Sequence, residues 1–539
     1  MGIPSYFVHI VNNHRNIIKK INKINVDNFY LDCNSIIYDE YYKLDNKVTK
    51  IEDIENIIIK NVCLKIVYYI NLISPKKKIF IAFDGVAPIA KLKQQRNRRY
   101  KNEFQKTILK NNYSKWNTTC ITPGTTFMNK LTLYVNTFFN NYGSNFKNIN
   151  IIISSSDKHG EGEHKIFEYI RSLPKYHSNT TTIIYGMDAD LFMLSLNHIY
   201  ISKQIYLFRE TPEFIKNIDS TLNPNESYLI DITELSNKLI YYFSDKPLDI
   251  IEKFNDNIKR NYLCDYIFIC FLLGNDFLPH FPAINIRING IELLMNSYKH
   301  LNYNKKSFLT RIDNYDNNNI SINWKNVREL IKCLSLNEND SICNLDKIRD
   351  KMYNNLKNKI SFKNLENTFQ SLPLLDRSKE KYINPHEKYW ENRYYKVLFN
   401  IEHDENRIKE ICINYLEGLE WTLNYYCNKC IDYYWKYKYN YPPLLCDLLK
   451  YVPYFDIKFI QNNKNKPLNS ITQLAYVVPY NSLNLLPDKI CKILKENYNY
   501  FYNSEFEIEW SFCRYFWESH INLYDINIEK LVDIIKLNS

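Results

Sequence analysis

The chain has 539 residues, enough for two or more packed units, and its 45% hydrophobic content excludes a wholly disordered polymer. Lysine and arginine outnumber aspartate and glutamate by 70 to 59, a net charge of +11 that favours polyanionic partners such as nucleic acid. No uninterrupted apolar run reaches the length of roughly 18 residues that spans a bilayer, so no membrane partner is expected.

The N-terminal Met1-Gly2-Ile3-Pro4-Ser5-Tyr6 lacks a signal-peptide core and puts Tyr6 where myristoylation wants Ser or Thr. A soluble, cytoplasmic protein is the expectation. Asn28 to Asp32 is a short apolar run ending in an acid, and Glu52 to Asn71 has helical apolar spacing. Lys78 to Phe83 then reads as a buried strand that delivers Asp84 and Gly85. Strand, helix, strand is the grammar of a parallel sheet. Either aspartate alone reads more readily as a turn or cap residue, and only the repetition at four strand ends reverses that.

After Pro88, a helix running to about Lys110 carries Lys91, Gln95, Arg98 and Arg99 on one face. A basic face is commonly only solvated; beside an acidic metal site it gains a use as a phosphate clamp. Thr122-Pro123-Gly124-Thr125 reads as a turn leading into a helix from Phe127 to Phe139.

The stretch from Ile151 to Leu194 organises the rest. Ile151-Ile152-Ile153 is followed by Gly160-Glu161-Gly162-Glu163-His164-Lys165, and Thr181 to Tyr185 by Gly186-Met187-Asp188-Ala189-Asp190. Twice, a β-branched run precedes glycine and two acids spaced i, i+2. Ligand sites form at the carboxyl ends of strands in α/β sheets. Carboxylates converging there repel one another unless cations intervene, and hard divalent ions such as Mg²⁺ or Mn²⁺ want that oxygen cage. Six of the ten glycines (Gly85, Gly124, Gly160, Gly162, Gly186, Gly274) lie in these motifs, where backbone must turn sharply or approach a ligand.

Tyr228 to Ile232 reads as a further strand. The apolar Leu263 to Leu273 leads into Gly274-Asn275-Asp276-Phe277-Leu278-Pro279-His280, which adds Asp276 to the acids. From Asn302 to Asn319 the chain turns polar, so 301–345 is expected to be a linker or surface insertion between a unit at 1–300 and a mainly helical one at 346–539. Arg393 to Phe399, Ile408 to Tyr426, Glu505 to Trp517 and Ile528 to Leu537 read as helices. Asp432 to Pro443 interleaves aromatics with lysines; such a segment can stack bases, or serve as a rigid plug against the sheet. Among 13 cysteines, Cys427-x-x-Cys430 is the one close pair, without a zinc-spaced partner, so reduced thiols and no zinc are expected.

These motifs, in this order, resemble the XRN family of 5′→3′ exoribonucleases. The likeness rests on Met1 to Pro4, Leu31 to Ile37, Asp84 to Pro88, Gln94 to Arg99, Ile121 to Thr125, Gly160 to Lys165, Gly186 to Leu191 and Gly274 to His280, then Tyr415 to Trp421 through Pro443. The resemblance implies an α/β, PIN/flap-nuclease-like, mostly parallel sheet flanked by helices, with a helical second region wrapping the active site. It implies seven catalytic, metal-binding carboxylates, Asp32, Asp84, Glu161, Glu163, Asp188, Asp190 and Asp276, and a 5′-monophosphate pocket of Lys91, Gln95, Arg98 and Arg99. The family's histidine after the first motif is Tyr38 here, a ring that can still stack a base. Trp435 takes the place of a second stacking tryptophan in an altered segment, and the stretch from Arg99 to Ile121 is short, which implies a stubby projecting helix.

The expected activity is processive, two-metal hydrolysis of 5′-monophosphorylated single-stranded RNA to 5′-mononucleotides in RNA decay. Two alternatives stay open: a structure-specific flap endonuclease, against which the phosphate-pocket residues and the Thr-Pro-Gly turn speak, and a non-catalytic RNA-binding scaffold, which has no use for so many repelling acids.

Overall fold

The computed structural model describes residues 2–3, 5–21, 24–44, 50–109, 116–142, 149–210, 216, 220–223, 226–305, 308–313, 319–357, 365–402, 404–461, 465–503 and 505–538. Its centre is a seven-stranded sheet built from β1 (Ile18–Lys20), β2 (Asn28–Asp32), β3 (Lys78–Ala82), β4 (Asn150–Ser154), β5 (Thr181–Tyr185), β6 (Gln204–Arg209) and β7 (Tyr228–Asp231), in the order β1-β7-β6-β5-β2-β3-β4. Strands β6, β5, β2, β3 and β4 run parallel; β7 is antiparallel to both its neighbours. The expected α/β class and mostly parallel sheet are what the chain forms.

Burial on both faces explains why the strands read as continuous apolar runs rather than alternating ones. All five residues of β5 are buried. Tyr30, Phe80 and Ile184 face one core, and Phe29, Leu31, Ile79, Ile81 and Ile183 face the other. The first core gathers helix α1 (Tyr6–Asn13), helix α6 (Gly162–Ser172) and the helices Asp190–His198, Asp256–Phe271 and Glu405–Cys427. The second is covered by α2 (Asn34–Tyr42), α3 (Ile51–Ile73) and α5 (Thr126–Tyr142). Among the described helices, α3 alone is long and apolar enough to cross a membrane by composition. Here its Ile58, Val62, Ile66 and Ile70 are spent in the second core.

Two expectations are corrected. Residues 301–345 are not a linker: strands Thr310–Asp313 and Asn319–Ile322 form a hairpin, and the helix Trp324–Ser335 buries Trp324, Val327, Leu330, Ile331 and Leu334. Asparagine-rich turn chemistry hid an amphipathic helix just downstream; residues 314–318 lie outside the described ones. Glu505 to Trp517 is not a helix either. Glu507–Glu509 pairs antiparallel with His520–Asn522, in keeping with the period-2 alternation of Phe506, Ile508 and Trp510.

The helix Ile89–Ile108, α4, follows Asp84 and Gly85 at the carboxyl end of β3. Any continuation towards Trp116 falls on residues 110–115, outside the described ones, and with it the expected length of the projection.

Candidate active site

The sheet order sets the acids together. Strand β2 lies between β5 and β3, so the chain leaves it on opposite sides at the β2–β5 boundary, where a crevice opens in an α/β sheet. Asp32 ends β2 and Asp84 follows β3; Glu161 and Glu163 open α6 after β4; Asp188 and Asp190 follow β5. Asp276 comes from the loop after the helix Asp256–Phe271. There Asn275 Oδ1 accepts from the Phe277 and Leu278 amides at 2.9 Å, and Gly274 adopts φ +83°.

The approach is close. A Cβ at Gly162 would collide with Asp32 Oδ1, so only glycine fits between those two motifs. The Gly162 amide donates to Asp84 Oδ1 at 2.7 Å, and Asn34 Nδ2 donates to Asp84 Oδ2 at 2.7 Å. Asn34 was not singled out in the sequence; its place two residues after Asp32 is the signal that could have found it.

Lys91 stands inside the cluster. Its ammonium lies 2.5 Å from Glu161 Oε2 and 2.7 Å from Asp276 Oδ2. Burial by itself would lower this ammonium, but Asp276 and Glu161 hold it well above its ordinary value. In return, burial would raise the Asp276 carboxyl, but Lys91 together with Arg98 and other nearby positive charge holds it far below the usual range. Asp188 is also held low, against burial, by positive charge that includes Lys91, whereas Asp32, Glu161, Glu163 and Asp190 go the opposite way. Burial, then Asp84 and Asp188, push Asp32 well up; burial, then Asp190, do the same to Glu163. Burial and Asp276 raise Asp190 to about 7. All seven carboxylates thus sit in one electrostatic neighbourhood.

Three buried oxygens there, Asp32 Oδ1, Glu163 Oε2 and Asp190 Oδ1, have no hydrogen-bond partner. Unpaired buried carboxylate oxygens are costly, and an all-oxygen donor set of this kind fits a hard divalent cation. Glu161, Glu163 and His164 also offer ligand atoms within 4.8 Å of one another, a group that could hold a metal ion. Burial keeps His164 neutral.

The basic face of α4 divides between the cluster and a neighbouring cavity. Lys91 joins the acids. Arg98 and Arg99 line a cavity of about 440 Å³ together with Tyr38 and Thr118, and Gln95 lies half-buried on the same helix. Burial lowers the Arg99 guanidinium to about 10, still charged at neutral pH, and its Nη1 has no partner. Arg98 also borders a second cavity of about 200 Å³ whose wall includes Gln94 and Asp276, so the two spaces meet at this side chain.

Trp435 is placed otherwise than a base-stacking residue requires. It is 8% exposed, its ring lies on Trp421 at 5.2 Å between centroids, and its Nε1 donates to Glu417 at 3.3 Å. The segment around it follows the plug reading, with Tyr437 and Tyr441 buried beside it. Nothing in the sequence points to Tyr425, whose hydroxyl donates to Glu161 Oε1 at 2.7 Å from the helix Glu405–Cys427.

Family comparison agrees with this geometry. The model described as the XRN 5′-3′ exonuclease N-terminus matches residues 1–211, and the one described as the Xrn1 helical domain matches 257–384 and 374–537. The chain belongs to the XRN family. The helical region of this XRN chain therefore begins near residue 257, well before the expected boundary at 346. It is 26% identical to 5′-3′ exoribonuclease 2 of Arabidopsis thaliana, over 94% of this chain and 62% of that protein. It is 26% identical to 5′-3′ exoribonuclease 1 of Schizosaccharomyces pombe, over 99% and 48%, and 28% identical to 5′-3′ exoribonuclease 1 of Homo sapiens, over 90% and 31%. The chain spans about half the length of such relatives.

Proposed function

We propose that this chain is a metal-dependent, processive 5′→3′ exoribonuclease that hydrolyses 5′-monophosphorylated single-stranded RNA to 5′-mononucleotides in RNA decay. The observation that carries the reading is the meeting, at Arg98, of a cavity bearing Arg98 and Arg99 with the space beside the seven-carboxylate cluster. The names of the relatives, each a 5′-3′ exoribonuclease, support the direction and the RNA substrate.

Asp32, Asp84, Glu161, Glu163, Asp188, Asp190 and Asp276 would hold divalent ions, two Mg²⁺ or Mn²⁺ in this reading. When bound, such ions acidify a coordinated water and stabilise charge on a phosphodiester. The side chains do the rest. Arg98 and Arg99, with Gln95, bind the terminal phosphate, and bidentate guanidiniums suit its oxygens. In this reading Lys91, the fourth residue of the expected phosphate pocket, is paired with Glu161 and Asp276. Tyr38 gives the terminal base a ring to stack on, and stacking tolerates any sequence. A triphosphate or cap overfills such a pocket.

The test is digestion of one 3′-labelled single-stranded RNA carrying 5′-monophosphate, 5′-hydroxyl or 5′-triphosphate, with Mg²⁺ or with chelator. Loss of the monophosphate substrate alone, with metal alone and without ladder intermediates, is expected. Internal cuts independent of the 5′ end would replace this reading with an endonuclease; tight binding without cleavage would replace it with a scaffold.

A further inference from the structure

We infer that Tyr425, contributed by the helical region, is a positioning residue that fixes the Glu161 carboxylate for metal binding, and that Trp421 and Trp435 are the column that holds it there. The inference rests on the metal-dependent reading above.

Glu161 has both oxygens engaged. Lys91 lies on Oε2 at 2.5 Å, and the Tyr425 hydroxyl donates to Oε1 at 2.7 Å. The terminal torsion of a glutamate is broad, so a carboxylate held on one side alone can rotate. With a donor on each oxygen its plane is set. Groups that hydrogen-bond to metal ligands orient them and tune their affinity.

Tyr425 is itself fixed from several directions. Its ring stacks on Trp421 at 4.9 Å and 21°, and on its other contacts lies 3.9 Å from the His164 ring and 5.4 Å from Phe277, edge to face. It therefore touches both the Gly160–Lys165 motif and the Gly274–His280 motif. Trp421 continues the stack onto Trp435 at 24°, and its Nε1 donates to the Asp432 carbonyl at 2.8 Å. Trp421 and Tyr425 are i, i+4 neighbours on one helix, so their spacing is set by the backbone. The aromatic segment that base stacking does not absorb thus has a use: it anchors the far end of a three-ring column whose near end is a hydroxyl on Glu161.

Tyr425→Phe removes one oxygen and keeps the ring stack. Direct titration of the metal-free full chain with Mn²⁺, read by calorimetry, should show binding weakened by about 10–100-fold. The Mg²⁺ concentration for half-maximal RNA cleavage should rise by a similar factor, with RNA binding in chelator unchanged. Metal affinity equal to wild type, with or without a lowered melting temperature, overturns the inference and leaves a packing role. If wild type itself takes up no divalent ion, the metal-dependent reading fails, and this inference with it.

Discussion

Lys91 puts an ammonium between two carboxylates in a place closed to water, and that neutralisation matters most when no other cation is present. Removing one partner of a buried charge group leaves the others uncompensated, at a cost of about 3–5 kcal/mol. Lys91→Met should therefore destabilise the chelated protein by about that amount in denaturant unfolding, and millimolar Mg²⁺ should restore more stability to the variant than it adds to wild type. Equal stability of variant and wild type in chelator would show that Glu161 and Asp276 do not depend on this ammonium. The pH dependence follows from Asp190, raised to about 7 by burial and Asp276. A carboxyl raised on folding binds its proton more tightly in the folded state. Its contribution is full below about 4, and it is lost as pH rises through about 7. The chelated protein should lose melting temperature over that window, and the gain from Mg²⁺ should be larger at pH 8 than at pH 6; a pH-independent gain would contradict it. Glu161, Glu163, Asp188 and Asp190 were legible because each pair follows a β-branched run with glycine nearby. Lys91 was read as a phosphate ligand from its helix face, since nothing local tells that it meets Asp276, 185 positions on.

Where elements were misread, a long-range contact decided the matter. The hairpin Thr310–Asp313 and Asn319–Ile322 is tied to the helix Asp256–Phe271 by Asp265, whose carboxylate accepts from Tyr298 Oη, from the Leu309 and Thr310 amides, and from Thr310 Oγ1, all between 2.6 and 2.8 Å. Polar residues around 313–319 signal a turn, and a turn between paired strands looks locally like a linker. Strands and helices with their own strong periodicity were legible: Thr181–Tyr185 and the helix Glu405–Cys427 lie where the sequence placed them, give or take end residues. Asp265→Ala would strand two buried amides and two hydroxyls. Unsatisfied buried donors cost about 1–3 kcal/mol each, with partial relaxation, so a loss of about 3–5 kcal/mol is expected by denaturant titration. A loss below about 1 kcal/mol would mean that the hairpin is held by its apolar contacts alone.

At the scale of the whole molecule, the two family regions share their cores. Leu191 and Ile184 from the sheet region are buried in one cluster with Trp421, Tyr426 and Trp435 from the helical region. Val86, Ile89 and Leu92 at the start of α4 are buried with Leu474, Val477, Leu531 and Ile535 near the end of the chain. Basic side chains of α4 reach across as struts: Lys93 donates to the Tyr437 carbonyl, Arg96 to those of Phe501 and Tyr524, and Lys101 to those of Trp517 and Ser519. The sequence tells which residues of α4 are basic, but not that three of its seven basic side chains are spent on backbone carbonyls more than 300 positions away. Backbone groups cross as well, with the Ile89 amide donating to the Tyr433 carbonyl at 2.9 Å and the Ala87 amide to Gln473 Oε1 at 3.1 Å. A chain cut near residue 300 would expose those apolar surfaces and leave those donors unpaired. Cores shared in this way unfold together. The full chain should therefore melt in one calorimetric transition, and residues 1–300 made alone should be insoluble or lack a cooperative transition. Two resolved transitions in the full chain, or a soluble 1–300 fragment melting at the same temperature, would mean that the shared clusters contribute little. The site would then be a property of the sheet region, with the helical region serving only to cover it.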